Sequence, residues 1–326
     1  MTTASRGRPL YRRIAVAAAT AVLLAALGGC GTKAADWSDD RYAIAGGGHD
    51  GVYDAYGTQL AAELASALDV RVAAVESAGS VDNLLRVSAG DALIGFAQGD
   101  AAADAVAGTG AFAEPLPVRA IARLYDEYLH VVVRRDSDID DLTDLEGRTV
   151  SLGAENSGVN VIAARVLDAA NVDIAAVRDR QLDLAASIRA LEAAEIEGFF
   201  WVGGIPTPGI AALAEATPVR VLPVEQSWVN EVNERYSHAY RPSDLPVGLY
   251  GLEESESTMA VPNYLVTAET TPAGVVKDVL GVLFDSRARI AEHVPAAALL
   301  DRTQAIFTGP VPLHPGATEY HREQRD

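Results

Sequence analysis

The chain has 326 residues, 49% of them hydrophobic, a formal net charge of −19 and a single cysteine. One cysteine excludes an intrachain disulfide and a cysteine-built zinc site, and the acidic balance argues against DNA or RNA, whose phosphates need a basic face. The length exceeds what one compact core usually holds, so two lobes are expected.

The first segment reads as a targeting signal. Arg6, Arg8, Arg12 and Arg13 form a positive region ahead of the uncharged run 14–27. That run is shorter than the ~20 apolar residues that span a bilayer, but it suits the core of a signal peptide. It ends Leu27-Gly28-Gly29-Cys30, a small-residue cleavage site followed at once by cysteine, as in a bacterial lipobox. The expectation is a signal peptide over 1–29, lipidation at Cys30, a polar tether over 30–40, and a body anchored at the outer face of the cytoplasmic membrane. Losing four arginines leaves that body more acidic still, so the lipid must do the anchoring.

From residue 41 strand and helix patterns alternate. Tyr42–Ala45 reads as a strand, and Tyr56, Leu60, Leu64 and Leu68, four residues apart, as one buried helix stripe. Val70, Val72 and Val75 mark a second strand. Leu84, Leu85 and Val87 mark a short helix with Ser80 as its N-cap and an end near Gly90. Residues 92–97 are a third strand. This alternation is the signature of a parallel sheet, whose ligands sit beyond the carboxyl ends of the strands.

Residues 129–133 form a β-branched run, and a second α/β unit follows. It has a strand at 148–152, a helix face made by Val159, Ile162, Ala163, Val166, Leu167 and Ala170, a helix marked by Leu184, Ile188 and Leu191, and a buried strand at 196–202. Residues 259–267 are again extended, and Pro272 opens a helix running to about residue 291. The economical arrangement has two α/β lobes crossed by 129–133 and 259–267. The first lobe comprises 41–133 plus 262–326, and the second, 134–261, is inserted into it. That topology allows hinge closure around a ligand.

Three Gly- and Ser-rich loops follow strands and open helices. They are Gly46-Gly47-Gly48-His49-Asp50-Gly51-Val52-Tyr53, Ser77-Ala78-Gly79-Ser80-Val81-Asp82-Asn83 and Gly153-Ala154-Glu155-Asn156-Ser157-Gly158. Together they predict a cleft in which several helix N-termini present N–H groups to one small anionic or zwitterionic ligand. Gly48, His49, Gly51, Tyr53, Ser77, Gly79, Ser80, Asn83, Asn156, Ser157 and Gly158 are the candidate contacts. A fourth turn, 203–206, adds Gly203, and the aromatics Tyr125, Trp201 and Tyr250 stand where a cleft wall is expected. Ser80 and Ser157 can each cap a helix or touch ligand, and Asn83 and Asn160 would be first-turn amides. Arg119 and Arg123 share a strand face, and one of them is a candidate bidentate partner for a carboxylate.

Other chemistries fit less well. Gly46-x-Gly48-x-x-Gly51 has dinucleotide-loop spacing, with Glu76 near the end of the second strand, but an exported protein would rarely meet that cofactor. His49, Asp50 and Asp54 offer metal donors without a second ligand cluster. Ser157 with His49 and an aspartate makes a triad only on paper, with nothing fixing order or geometry. No cofactor, no metal and no catalysis are expected.

Several segments resemble the TAXI family of solute-binding proteins, the receptors of one branch of TRAP transporters. They are Gly48-His49-Asp50-Gly51-Val52-Tyr53, Ser77-Ala78-Gly79-Ser80-Val81-Asp82-Asn83, Leu124-Tyr125-Asp126-Glu127, Asp144-Leu145-Glu146-Gly147-Arg148-Thr149-Val150, Phe199-Phe200-Trp201-Val202-Gly203-Gly204-Ile205-Pro206 and Leu313-His314-Pro315-Gly316-Ala317. The resemblance implies a type II periplasmic-binding-protein fold and capture of a small organic acid or an amino acid such as glutamate. It also implies delivery to an ion-gradient-driven TRAP permease. The chain departs from the family pattern at Tyr53-Asp54-Ala55 and at Asn156-Ser157-Gly158-Val159-Asn160, where ligand-facing side chains would lie. A sensor lipoprotein for a receptor kinase would use the same cleft, and a lipid-anchored hydrolase is a third reading.

Overall fold

The computed structural model describes residues 1–2, 37, 41–49 and 51–324. The signal segment, Cys30 and Asp50 therefore lie outside the described residues. No helix among the described residues is long and apolar enough to cross a membrane.

The chain begins as the alternation predicts. β1 (Tyr42–Ala45) leads to α1 (Val52–Leu68), β2 (Val72–Val75), α2 (Ser80–Ala89) and β3 (Ile94–Gln98). Tyr56, Leu60 and Leu64 are fully buried along one face of α1, as their four-residue spacing requires. Gly90 ends α2 in the left-handed conformation, which residues with a side chain adopt only with backbone strain. A further helix, α3 (Gly99–Ala107), follows β3 directly; its run of alanines carries too little periodic contrast to be read from sequence.

Two long strands then dominate. β4 (Val118–Arg134) begins eleven residues before the predicted 129–133 run, and β10 (Glu256–Ala268) is its antiparallel neighbour. Arg119, Arg123, Asp126 and Glu127 interrupt the apolar pattern of β4, which hides its first two thirds from a hydrophobicity reading. Between these strands lie β5 (Thr149–Ser151), α4 (Gly158–Ala169), β6 (Arg178–Asp179), α5 (Leu184–Glu192) and β7 (Gly198–Gly203). After them come α6 (Pro208–Ala216), β8 (Val219–Val221), α7 (Gln226–Arg235) and β9 (Arg241–Leu245). Beyond β10 the predicted single helix to about residue 291 is broken into α8 (Ala273–Asp285) and α9 (Arg287–Ala291). At the break, Ser286 turns its hydroxyl back to the Val282 carbonyl, 2.6 Å away, a local bond that competes with helix continuation. α10 (Pro315–Glu323) closes the described chain.

The sheet runs β2-β1-β3-β10-β4-β7-β5-β6, with β8 on β4 and β9 on β10. β1 pairs in parallel with β2 and β3, and β5 in parallel with β6 and β7, whereas β10 and β4 run antiparallel to their neighbours. The buried side chains divide at those two strands. Two clusters draw on residues 44–125 and 264–320, built around Tyr56, Phe96, Leu280 and Ala120. Two others draw on residues 129–261, built around Ile162, Val166, Phe200 and Phe199. The fold is thus α/β and two-lobed, with the second lobe inserted into the first and β4 and β10 crossing between them. Trp37, within the predicted tether, packs against this body: its indole N–H donates to Asp278 Oδ2 at 3.0 Å and its ring meets Tyr42 edge-on.

Candidate functional site

A cavity of about 510 Å³ opens where the carboxyl ends of β1, β3, β5 and β7 converge. From the first lobe it is lined by Gly48, His49, Gly51 and Tyr53, and by Ser77, Gly79 and Ser80. From the second it is lined by Ser157, Gly158, Trp201 and Gly203. Loops far apart in the chain therefore share one pocket, as the strand-end rule requires.

Local hydrogen bonds set the loops. Ser77 Oγ accepts from Gly47 N at 2.8 Å and donates to Asn83 Oδ1, tying the first loop to the second. Gly79 is the N-cap of α2 with φ of +124°, a conformation side-chain-bearing residues rarely adopt. Ser80 is thus the first helical residue and not the cap. Its hydroxyl accepts from Gln98 N at 3.1 Å. Ser157 does cap α4, accepting from Asn160 N at 3.1 Å and donating to Ala154 O. Neither α1 nor α2 has a side-chain N-cap, but each carries an acid in its first turn, Asp54 and Asp82, and Asp82 Oδ2 accepts from Ala78 N at 3.0 Å.

The lobes touch across this cleft. A Cβ on Gly158 would run into the Gln98 amide and Ser80 Oγ, and a Cβ on Gly51 would meet the Trp201 ring. Asp82 N donates to Asn156 O at 3.1 Å, again from one lobe to the other.

Several predicted contacts lie elsewhere. Asn83 is fully buried, donating to Phe96 O at 2.8 Å; its place behind the loop removes it from the cavity wall. Asn156 contributes its carbonyl to the interlobe bond and does not line the cavity. Asn160 lies on a separate cavity beside Arg165 and Asp168. Tyr250 is held outside the cavity, accepting from Thr207 N at 2.7 Å and lying 3.4 Å from His130 Nε2. Arg119 pairs with Glu269, and Arg123 with Asp126. Both arginines are consumed by acids of their own surroundings, and neither reaches the cleft.

Four acidic side chains line the cavity instead: Glu76, Asp82, Asp183 and Glu127. Arg86 also lines it, but it is paired with Asp82 at 2.8 Å and donates to Glu76 O at 3.0 Å. Asp183 Oδ1 accepts from Ala186 N, capping α5. His49 lies 3.5 Å from Asp54 and 3.6 Å from Glu76. Among the described residues no group of three or more His, Cys, Asp or Glu side chains is arranged to hold a metal ion.

The sequence reading missed Gln98 and Glu127 as wall residues. Glu127 is buried in β4. Its Oε2 accepts from Tyr53 Oη at 3.2 Å and Gln98 Nε2 at 2.9 Å, and its Oε1 from Tyr125 Oη and Asn263 Nδ2, both at 3.3 Å. Burial pushes its pKa up to about 8, against the pull of the Gln98, Tyr53 and Tyr125 hydrogen bonds. Tyr53 stacks on Phe96 with ring centroids 5.2 Å apart and so holds its hydroxyl over this carboxyl. Two signals were present in the sequence: Gln98 ends a strand at the level of the loops, and Glu127 closes the acidic pair Asp126-Glu127 just ahead of the β-branched run 129–133.

The family model described as the NMT1-like family matches residues 44–324. Among solved structures, the chain is similar to the malate-bound MatC protein from Rhodopseudomonas palustris at 15% identity, covering 80% of this chain and 89% of that one with a TM-score of 0.55. A structure described as a periplasmic transporter matches at 13% identity over 89% and 94% of the two chains, with a TM-score of 0.53. A binding protein component of an ABC phosphonate transporter from Pseudomonas aeruginosa matches at 12% identity over 80% of each, with a TM-score of 0.52. The fold is that of the type II periplasmic-binding proteins.

Proposed function

The chain belongs to the NMT1-like family, and from that premise we propose that it is an extracytoplasmic solute-binding protein that captures a small organic anion or amino acid by closing its two lobes. One observation carries this reading: loops from both lobes line a single cavity of about 510 Å³, within the usual range for small-molecule sites. The N-termini of α1, α2 and α4 supply the attraction for a carboxylate, each contributing ~0.3–1 kcal/mol at exposed sites and more when partly buried. Bound ligand touches both walls at once, so it favours the closed form by its differential affinity. Solved structures of the same fold include a malate complex and a phosphonate-transporter component, in keeping with small anionic cargo.

The finer reading is delivery to a TRAP permease driven by an ion gradient, with Cys30 lipidated after removal of residues 1–29. A thermal-shift screen of the purified protein against dicarboxylates and amino acids tests the receptor role, because a ligand of the native state must raise the melting temperature. At least one compound of these classes is expected to do so; a flat response across the whole screen would refute the role. Loss of uptake of that compound on deletion of the protein, together with release of a Cys30→Ala variant from the membrane fraction, is expected for the permease and anchoring readings.

A further inference from the structure

Trp201 lines the cavity from the second lobe, with its six-membered ring facing Gly51 of the first. Its indole N–H donates to Thr207 Oγ1 at 3.1 Å. Thr207 is fully buried and is the N-cap residue of α6, yet its side chain caps nothing. A threonine in that place ordinarily accepts from a first-turn N–H of its own helix. Here the hydroxyl accepts from the indole and donates to Gly204 O at 2.8 Å. Tyr250 holds Thr207 in turn: its hydroxyl accepts from Thr207 N at 2.7 Å and lies 3.4 Å from Nε2 of the buried His130. His130 is the cross-strand partner of Trp201 in the pairing of β4 with β7. The chain of contacts thus returns to the residue from which it began.

Two further observations single out this ring of contacts. Tyr250 has φ of +51° and ψ of 25°, and it stands between Gly248 and Gly251, which also have positive φ. An aromatic residue in the left-handed region is strained, and such strain persists only where surrounding contacts impose it. At Gly203 a Cβ would fall 2.6 Å from the indole nitrogen, so the absence of a side chain there leaves room for the ring in this orientation. We propose that Thr207 and Tyr250 are positioning residues, which lock the Trp201 indole in the orientation that presents it to Gly51 across the cleft. Neither of the two lines the cavity itself. This role rests on the solute-binding reading above and deepens it: an aromatic wall set in advance need not be ordered when ligand enters.

The chain has three tryptophans, and two backgrounds with one each test the role. Trp37→Phe with Trp228→Phe leaves Trp201, and Trp37→Phe with Trp201→Phe leaves Trp228 as a control in the same lobe. With acrylamide as quencher, Tyr250→Phe and Thr207→Val should each raise the quenching constant of Trp201 by about twofold and lower its fluorescence anisotropy, because a freed side chain changes rotamer in picoseconds to nanoseconds. Thr207→Ser, which keeps the hydroxyl, should keep the parent values, and Trp228 should be unchanged in every variant. A role in stability alone would lower the melting temperature while leaving Trp201 as in the parent, or would loosen both tryptophans together. Either result overturns the positioning role and leaves the receptor role standing. If Thr207→Val fails to fold, Tyr250→Phe decides alone. A flat thermal-shift screen refutes the receptor role without changing the quenching result, so the two failures are distinct.

Discussion

Arg165 of α4, in the second lobe, reaches Asp100 of α3, in the first: Nη1 and Oδ2 are 3.1 Å apart and the side chains are 7% and 0% exposed. Arg165 also pairs with Asp104, and Tyr240 donates to Asp100 Oδ2 at 2.5 Å. Burial pushes the Asp100 pKa up, and Arg165 and Tyr240 oppose that shift. Removing one partner of a buried pair leaves an uncompensated charge and costs about 3–5 kcal/mol. Arg165→Met should therefore lower stability by about that amount, and adding Asp100→Asn should recover part of it. Urea unfolding followed by tryptophan fluorescence measures both; equal stability of Arg165→Met and the parent chain would contradict it.

Gly158 stands where the lobes meet. Its backbone does not have positive φ, so alanine is conformationally tolerated there, yet a Cβ would collide with Gln98 and Ser80 across the cleft. Gly158→Ala should fold with near-native stability but hold the lobes apart. Solution scattering should show a larger radius of gyration than that of the parent chain, and ligand affinity should drop by tenfold or more, on the order of 1.4 kcal/mol. Unchanged affinity in this variant would show that closure is not needed.

Two buried titrating groups set opposite slopes of stability with pH. Glu127 is raised to about 8 from an ordinary 4.5, so its contribution is complete below pH 4.5 and is lost as pH rises through 8. His130 is lowered by burial to about 4 from an ordinary 6.5, so its contribution is complete above 6.5 and is lost as pH falls towards 4. Between pH 4.5 and 6.5 the two oppose one another, and above 6.5 His130 no longer offsets the loss from Glu127. The ligand-free protein should melt at progressively lower temperature from pH 6.5 to 8, and Glu127→Gln should remove that decline. A parent melting curve that stays level over this interval would contradict the assignment.

Ser80 and Ser157 should respond differently to alanine. Ser157→Ala removes an N-cap and should cost about 1 kcal/mol of stability. Ser80→Ala strands the buried Gln98 N–H that its hydroxyl now receives and should cost about 1–3 kcal/mol. Both should weaken binding. Denaturant titration with calorimetry separates the two effects, and native affinity in both variants would remove these hydroxyls from the site.

The fold was legible wherever periodic apolar contrast is strong, as along α1 and α4, and wherever glycine punctuates a strand end. α3 was not legible because Ala101, Ala102, Ala103 and Ala105 give no face a distinct hydrophobicity. The glycine loops found the cavity because main-chain geometry is written in local residue types. Its side-chain chemistry was not so written. Arg119 and Arg123 looked available only because Glu269, 150 residues beyond Arg119, and the turn of Asp126 towards Arg123 are invisible along one strand. Glu127 draws donors from α1, β3 and β10 as well as from its own strand, a meeting that only the folded chain produces.

The pairing of β4 with β10 slips twice, between Pro262 and Tyr264 and between Leu265 and Val266. At the first slip Leu124 and Tyr125 stand opposite the single residue Asn263, an insertion that kinks a strand and increases its twist. Asn263 also donates to Tyr53 Oη at 2.6 Å and to Glu127. The ribbon joining the lobes is therefore creased at the residue that props up the pocket wall, and any flexing along that crease is transmitted to the carboxyl group without an intermediary.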